Sequence, residues 1–229
     1  MFSLKQVAEN SLEFIRAVKD RVMQAAASLV SKAESCSEAD ISTRTGDACR
    51  VLRGQKTELQ IAQEMLKSYV FNPDTRVSTF TRPAGVTDVE AMRALNSYFR
   101  SQLPSCGRDA VSEQALQWFE NSNNCRPRDL LNDTQTTITV VVEGTKGENR
   151  TTQGNVLRES GLVFSDPRDG AMAAALHACT YGGKDLFEDC WVNCSVPGSV
   201  LYTCADRGVC VTESSPWHDD NHIVALGSP

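Results

Sequence analysis

The spacing of apolar residues changes near residue 130, from a helical period to runs typical of strands. Over residues 4–34, apolar side chains recur every three or four positions, as at Leu4, Ile15 and Val22. This spacing places them on one face of a helix. We therefore expect a long helix over 4–34 that packs along another helix, either in a hairpin or bundle or as the seam of a coiled coil.

The same helical spacing continues before residue 130. It predicts three further helices, over 55–70, 88–103 and 112–120. Thr87 and Glu90 form a capping box that starts the second of these, and Pro104 ends it. Asn72, Pro73 and Asp74 stop the helix before it, so 71–86 is predicted to be a loop.

Strand patterns dominate after residue 130. Residues 136–143 are almost all β-branched and predict a strand, followed by a turn over 144–149 and a second strand over 150–157. An alanine-rich segment over 171–179 predicts a short helix. Three short strands are predicted over 190–194, 200–204 and 209–212, and the tail after Ser214 is predicted to be a loop.

Helices followed by strands are typical of an α+β fold. We predict a long N-terminal helical hairpin or bundle, followed by a disulfide-stapled, antiparallel, β-rich C-terminal part. The helical region covers 1–129 and the β-rich, cysteine-rich region covers 130–229, either as separate parts or as one continuous domain.

The chain has nine cysteines, and five of them fall between Cys179 and Cys210. No Cys-x-x-Cys pair is present, so disulfides are favoured over zinc or redox catalysis, and disulfides indicate an oxidising compartment. Zinc held around Cys190 and Cys194 is the alternative. We expect Cys179 to be unpaired and the other eight cysteines to form bridges: Cys36, Cys49, Cys106, Cys125, Cys190, Cys194, Cys204 and Cys210.

A net charge of −6 argues against nucleic acid as a partner, because phosphate binding needs a concentrated basic surface. No segment reaches the roughly 18 apolar residues of a membrane span, and charges interrupt the N-terminus too often for a signal peptide. A mature or truncated chain, or export without a cleaved signal, would reconcile this with disulfides; reduced thiols are the third option. We expect an extracytoplasmic location: secreted, cell-surface, periplasmic or virion.

Three Asn-x-Ser/Thr sequons start at Asn132, Asn149 and Asn193. They would be glycosylation sites in a secreted eukaryotic or viral surface protein, and carry no meaning in a bacterial one.

No motif identifies a catalytic residue or a cofactor. His177 and Cys179 are two apart, so on a helix they point to different faces and make a poor nucleophile pair. Four acidic residues could supply a glycosidase-type pair, with nothing to choose among them: Asp166, Asp169, Glu188 and Asp189. His218 and His222 are the candidate metal ligands, in a segment that otherwise reads as a solvated loop.

The sequence therefore favours a non-enzymatic structural or recognition protein: a surface antigen, virion or filament subunit, or adhesin. Its partner would be another protein, or a second copy bound through the N-terminal helix. One alternative is a secreted hydrolase with an unplaced acid–base site. The other is an exported inhibitor or receptor-binding module that presents the Cys204–Cys210 loop, with Asp206 and Arg207 at its tip.

Overall fold

The structure is a computed structural model that describes residues 56–121, 134–188, 190–213 and 223–229. These residues all belong to one compact unit, Lys56–Pro229. The predicted helix over 4–34, with Cys36 and Cys49, lies outside the described residues. So do Cys125, Asn132, Asp189, His218 and His222.

Five α-helices and eight strands are described. The helices are α1 Glu58–Ser68, α2 Asp88–Gln102, α3 Glu113–Glu120, α4 Arg150–Glu159 and α5 Pro167–Thr180. The strands are β1 Val70–Asn72, β2 Val77–Arg82, β3 Gln135–Val142, β4 Val163–Phe164, β5 Trp191–Asn193, β6 Ser199–Cys204, β7 Gly208–Glu213 and β8 Ile223–Ser228. Short 3₁₀ turns cover Pro104–Cys106 and Glu143–Thr145.

Local capping explains where the helices begin. The predicted capping box of α2 is confirmed: the Thr87 side chain accepts from the Glu90 backbone and the Glu90 side chain accepts from Thr87. Thr57 and Gln60 make the same arrangement at α1. The prediction of a strand over 150–157 is wrong, because Asn149 accepts a hydrogen bond from the Thr152 backbone and starts α4 there.

The strands form one mixed sheet in the order β1-β2-β3-β8-β5-β6-β7, with β4 paired to β8. It curls into a half-barrel. Strands β5 and β8 run parallel, and the other neighbouring pairs run antiparallel. The predicted antiparallel, β-rich C-terminal part is thus wrong in two respects: the sheet is mixed, and β1 and β2, from a segment predicted to be a loop, belong to it.

The tail after Ser214 was expected to be a loop, yet β8 lies at the centre of the sheet. It pairs with β3 on one side and with β5 and β4 on the other. Both faces of a central strand are covered, so its residues Ile223–Gly227 are all buried and show no alternation of apolar and polar residues. A continuous apolar run of five residues carries little strand signal.

Helix α5 packs against strands from both ends of the sheet and against two helices. It contacts β2 and β3, β6 and β7, and also α1 and α2. Its residues from Ala171 to Leu176 are at most 3% exposed, as expected for a helix surrounded by protein. The small alanine side chains let the backbone of α5 approach the sheet closely.

The predicted disulfides are not present among the described cysteines. None of the six is bridged to another cysteine: Cys106, Cys179, Cys190, Cys194, Cys204 and Cys210. Cys204 pairs across the hairpin with Gly208, and Cys210 pairs with Tyr202. Cys204 and Cys210 are therefore diagonal neighbours on the hairpin. Their Cβ atoms are roughly 7 Å apart, whereas a disulfide needs about 4 Å between the Cβ atoms. Disulfide stapling is thus not what holds this part of the fold together.

Candidate functional site

Buried charge links the starts of α2 and α5 to the end of β2. The Arg82 guanidinium pairs with the Asp88 carboxylate, and Arg168 reaches the same carboxylate at 3.5 Å. Arg168 also donates to Asp166, the N-cap of α5, at 2.7 Å. All four side chains are at least 85% buried. Because each charge is compensated inside the protein, we interpret this group as structural.

A second group of polar and aromatic residues gathers at the other end of α5. We call it the edge cluster: Tyr69, Phe71, Arg76, His177, Tyr181 and Glu188. It lies beside β1, which ends the sheet and has only β2 as a strand neighbour among the described residues. The alternation of β2 turns Ser78 inward, toward Tyr69 and His177.

His177 is the centre of the edge cluster. Its Nδ1 lies 3.1 Å from the Tyr69 hydroxyl, which in turn lies 3.4 Å from the Ser78 hydroxyl. The Phe71 ring packs edge-on against the imidazole, with 4.8 Å between the ring centroids. The Tyr181 ring is tilted against the imidazole, with 4.5 Å between the centroids. Burial removes water from the ring and, with the positive charge of Arg76, lowers the His177 pKa to about 4. Burial also raises the Tyr69 pKa above its usual value. Both groups are neutral at pH 7.

Arg76 fixes the turn between β1 and β2 against the loop that follows α5. Its Nη1 donates to Glu188 at 2.6 Å, and its Nη2 donates to the Leu186 carbonyl at 2.8 Å. Its Nε lies 3.1 Å from a Glu143 carboxylate oxygen but makes no hydrogen bond, so Glu143 is held by charge alone. The guanidinium also lies over the Phe71 ring, 5.7 Å from its centroid.

Arg76 and Glu188 share an unusual backbone conformation. Their φ angles are +54° and +51°, and within the described ranges they are the only residues other than glycine with positive φ. A side chain in this region costs about 1–2 kcal/mol. Strained residues persist where the surrounding contacts hold them, and they concentrate at functional sites. Here the two strained residues are bonded to each other, at the edge cluster.

The edge cluster reaches the surface through Tyr181 and β1. Tyr181 is 41% exposed and Val70 is 64% exposed, which makes them two of the large apolar side chains that the fold leaves open to solvent. Glu143 and Glu188 are also exposed, whereas the Arg76 side chain between them is only 13% exposed. The cluster therefore presents aromatic and acidic groups outward and keeps its cation underneath.

His177 and Cys179 do not form a nucleophile pair. The His177 ring faces Tyr69 and Phe71, whereas the Cys179 thiol points to the Leu95 carbonyl on α2, 3.7 Å away. Burial raises the Cys179 pKa to about 12, so the thiol stays protonated at neutral pH. Chemistry that needs a thiolate beside an imidazole has no support here.

The acidic residues proposed as a catalytic pair lie at opposite ends of α5. Asp166 caps its start and is bound to Arg168, whereas Glu188 follows its end and is bound to Arg76. The 14 residues of α5 separate the two ends by about 20 Å. Asp169 follows Asp166 in the first turn. Asp166 and Glu188 therefore cannot act on one glycosidic bond.

Asp206 and Arg207 lie at the tip of the β6–β7 hairpin. Their side chains are 76% and 55% exposed, and Gly208 closes the turn with a φ of +80°. The Cys204 thiol donates to Asp206 at 2.8 Å, which orders the tip without a disulfide. The predicted turn is confirmed, and binding through this tip stays a prediction.

The edge cluster was missed at the level of sequence, except for His177 and Glu188. Residues 71–86 were assigned to a loop, so Arg76 and Phe71 received no role. The signal that could have found them is the β-favouring composition of 77–82, with Val77, Thr79, Phe80 and Thr81. The buried positions are Ser78, Phe80 and Arg82, so no alternation of apolar and polar residues marks the strand. Tyr69 lies 108 residues from His177 and Arg76 lies 112 residues from Glu188, so these pairs meet only in the folded protein.

Two further features bear on function: clusters of metal-ligating side chains and helices long enough to span a membrane. Within the described ranges, no three His, Cys, Asp or Glu side chains gather closely enough to hold a metal ion. None of the helices over the same residues combines the length and the apolar character that a bilayer span requires. The candidate ligands His218 and His222 are not among those residues.

Comparisons with known proteins add no relative. No family model matches the chain, and searches of curated proteins and of solved structures gave no match either. The function therefore has to be argued from the geometry of the edge cluster.

Proposed function

We propose that this chain is a non-enzymatic recognition protein that binds a protein partner through the edge cluster. The observation that carries the proposal is the exposed ring of Tyr181, which packs on His177 and Phe71; Val70, which precedes Phe71 in the edge strand β1, is exposed as well. Aromatic side chains that are rigid before binding lose little conformational entropy when a partner covers them. Arg76, bound to Glu188, lies over the Phe71 ring, and Phe71 in turn packs against Tyr181.

Selection of peptides tests this proposal. A random peptide library is selected against the full chain, and the selected peptides are titrated against a Val70→Ala/Tyr181→Ala variant. We expect binding to fall at least about tenfold, because hot-spot aromatics contribute 2 kcal/mol or more. The matched control is Leu59→Ala/Val163→Ala, which removes equally exposed apolar groups elsewhere. Peptides that bind both variants equally well would contradict the proposal.

The β6–β7 hairpin tip offers a second binding surface for the same class of function. The exposed side chains of Asp206 and Arg207 favour it. An Asp206→Ala/Arg207→Ala variant should then lose binding of the selected peptides while its melting temperature stays unchanged. Retained binding would leave the edge cluster as the recognition surface.

We also propose an extracytoplasmic location, and self-assembly through the N-terminal helix into a filament, virion or adhesin. The disulfides that favoured this location are absent among the described residues. Mass spectrometry of the native protein, alkylated without reduction, would show whether every cysteine is free.

A further inference from the structure

The edge cluster also indicates what chemistry a partner must bring, and this step rests on the function proposed above. Tyr181 has its ring against His177 on one side, at 4.5 Å, while 41% of the residue stays open to solvent. An open aromatic face carries partial negative charge and attracts cations that approach within about 6 Å. An apolar partner would use only part of this surface.

Two carboxylates that flank Arg76, whose guanidinium lies over the Phe71 ring, add to that preference. The side chains of Glu143 and Glu188 are 63% and 64% exposed, and each turns one oxygen toward Arg76. All three nitrogens of the Arg76 guanidinium face the protein, toward Glu143, Glu188 and the Leu186 carbonyl. The carboxylates of Glu143 and Glu188 are therefore exposed to solvent, whereas the Arg76 guanidinium, which balances part of their charge, is largely buried.

The surrounding charges are mostly acidic as well. Asp185 and Glu188 both act on His177 and raise its pKa, against the lowering effects of Arg76 and Lys184, so all four lie near the ring. Asp74 is exposed in the turn that Arg76 ends. Lys184 is the exposed base in this group. The whole chain carries a net charge of −6, which steers basic partners toward it at long range.

We infer that the edge cluster takes a basic protein segment, in which one arginine or lysine packs on the exposed face of Tyr181 and neighbouring basic residues pair with Glu143 and Glu188. Arg76 does not compete for this position because its two Nη atoms are hydrogen-bonded to Glu188 and the Leu186 carbonyl, and its Nε lies toward Glu143. Its role is to hold the two carboxylates and Phe71 in place before the partner arrives. Preorganised carboxylates bind a cation with less loss of side-chain entropy than mobile ones.

Titration with labelled hexapeptides tests the inference on the full chain. The probes are hexa-arginine, hexa-glutamate and a neutral glycine–serine hexamer. We expect binding of hexa-arginine only. Glu143→Gln/Glu188→Gln should weaken it about tenfold, Tyr181→Ala by a similar factor, and Tyr181→Phe hardly at all, because the phenyl face is kept.

The matched control separates a specific surface from general attraction by net charge. Glu64→Gln/Glu120→Gln removes the same two charges from exposed carboxylates that also pair with one base each, Lys56 and Arg93. An equal loss of hexa-arginine binding in this control would overturn the inference. Melting curves of all variants show whether a loss comes from unfolding instead, and Tyr181→Phe keeps the test open if Tyr181→Ala does not fold.

Failure of this inference is distinguishable from failure of the proposed function. Library peptides that need Tyr181 and Val70 but contain no enriched arginine or lysine would keep the recognition function and overturn the basic partner. Peptides that bind the Val70→Ala/Tyr181→Ala variant as tightly as wild type would overturn the recognition surface itself.

Discussion

Gly170 occupies the point where α5 lies closest to the sheet. A Cβ atom added there would lie 2.6 Å from Leu226 Cδ2 and 2.8 Å from Leu201 Cδ1, and both leucines are fully buried. We expect Gly170→Ala to lower the free energy of unfolding by about 1–3 kcal/mol, because overpacking outweighs the helix propensity of alanine. Urea denaturation measures the change.

Gly154 provides the control for this prediction. It lies inside α4, and an added Cβ would come no closer than 3.4 Å to Phe164, an ordinary contact. Gly154→Ala should therefore stabilise the protein by up to about 1 kcal/mol. Equal effects of the two substitutions would show that α5 is not packed as closely as described.

His177 makes the stability of the protein depend on pH. Its pKa is about 4 in the folded state and about 6.5 in an unfolded chain, so the unfolded state binds more protons between these values. Stability contributed by neutral His177 is complete above pH 6.5 and is lost as the pH falls toward 4. Relative to His177→Gln, wild type should lose about 2–3 kcal/mol between pH 7.5 and 4.5.

The measurement is chemical denaturation of both proteins across this pH range, with the imidazole shift of His177 followed by NMR. Unrelated carboxylates titrate in the same way in both proteins, so their contribution drops out when the unfolding free energy of His177→Gln is subtracted from that of wild type at each pH. An imidazole that titrates near pH 6.5 would show that the ring is open to water and would contradict the buried edge cluster.

Two sequons illustrate how far single residues can be interpreted without a structure. Asn193 matches the motif, but it is buried in β5 and its amide donates to Gln153 at 2.8 Å. Asn149 is exposed at the start of α4. If the chain is expressed through a eukaryotic secretory pathway, peptide mass spectrometry should find a glycan on Asn149 and none on Asn193. A glycan on Asn193 would contradict the placement of β5.

At the scale of elements, the buried charges of Arg82, Asp88 and Arg168 join β2, α2 and α5. Asp88→Asn keeps the shape of the side chain and leaves two buried guanidinium groups without their shared anion. We expect a loss of about 3–5 kcal/mol in the free energy of unfolding. Glu64→Gln, which breaks an exposed pair with Lys56, should change it by less than about 1 kcal/mol. Thermal melts of the two variants compare these outcomes, and similar melting temperatures would refute the role of the buried charges.

Elements with strong local signals could be predicted from the sequence. Helix α2 has a capping box at Thr87 and a stop at Pro104, and β3 is rich in β-branched residues; both were located to within about one residue. Helix α4 was missed because the β-branched residues Thr151 and Thr152 suggest a strand. In the structure, the Asn149 side chain caps the backbone there and starts a helix. Strand β1 has three residues, too few to show a period.

At the scale of the whole molecule, the topology could not be read from local patterns. The parallel pairing of β5 with β8 joins residues about 30 positions apart, and the described residues between them form the β6–β7 hairpin rather than the usual crossover helix. The cysteine spacing suggested bridges, but spacing does not fix the distance between thiols. Cys204 and Cys210 lie on one hairpin and still miss the geometry of a disulfide.

Deletion of 223–229 tests the importance of β8. Without it, β3 loses one neighbour and β5 loses its parallel partner, so the sheet is cut in two. We expect the shortened chain to show no cooperative unfolding transition by circular dichroism. Deletion of Pro229 alone, which is exposed and outside the strand, should leave the transition in place. A cooperative transition without β8 would contradict the sheet order.

The central position of β8 also bears on how the protein is made. The chain is synthesised from β1 toward β8. The two strands that flank β8 in the sheet, β3 and β5, are therefore made before Ile223 is added. Until then the nascent chain exposes two unpaired strand edges, which are templates for association with other chains. Rapid production should therefore favour aggregation on the ribosome or soon after release. Slower translation or a bound chaperone should raise the soluble yield, even though the finished fold hides both edges.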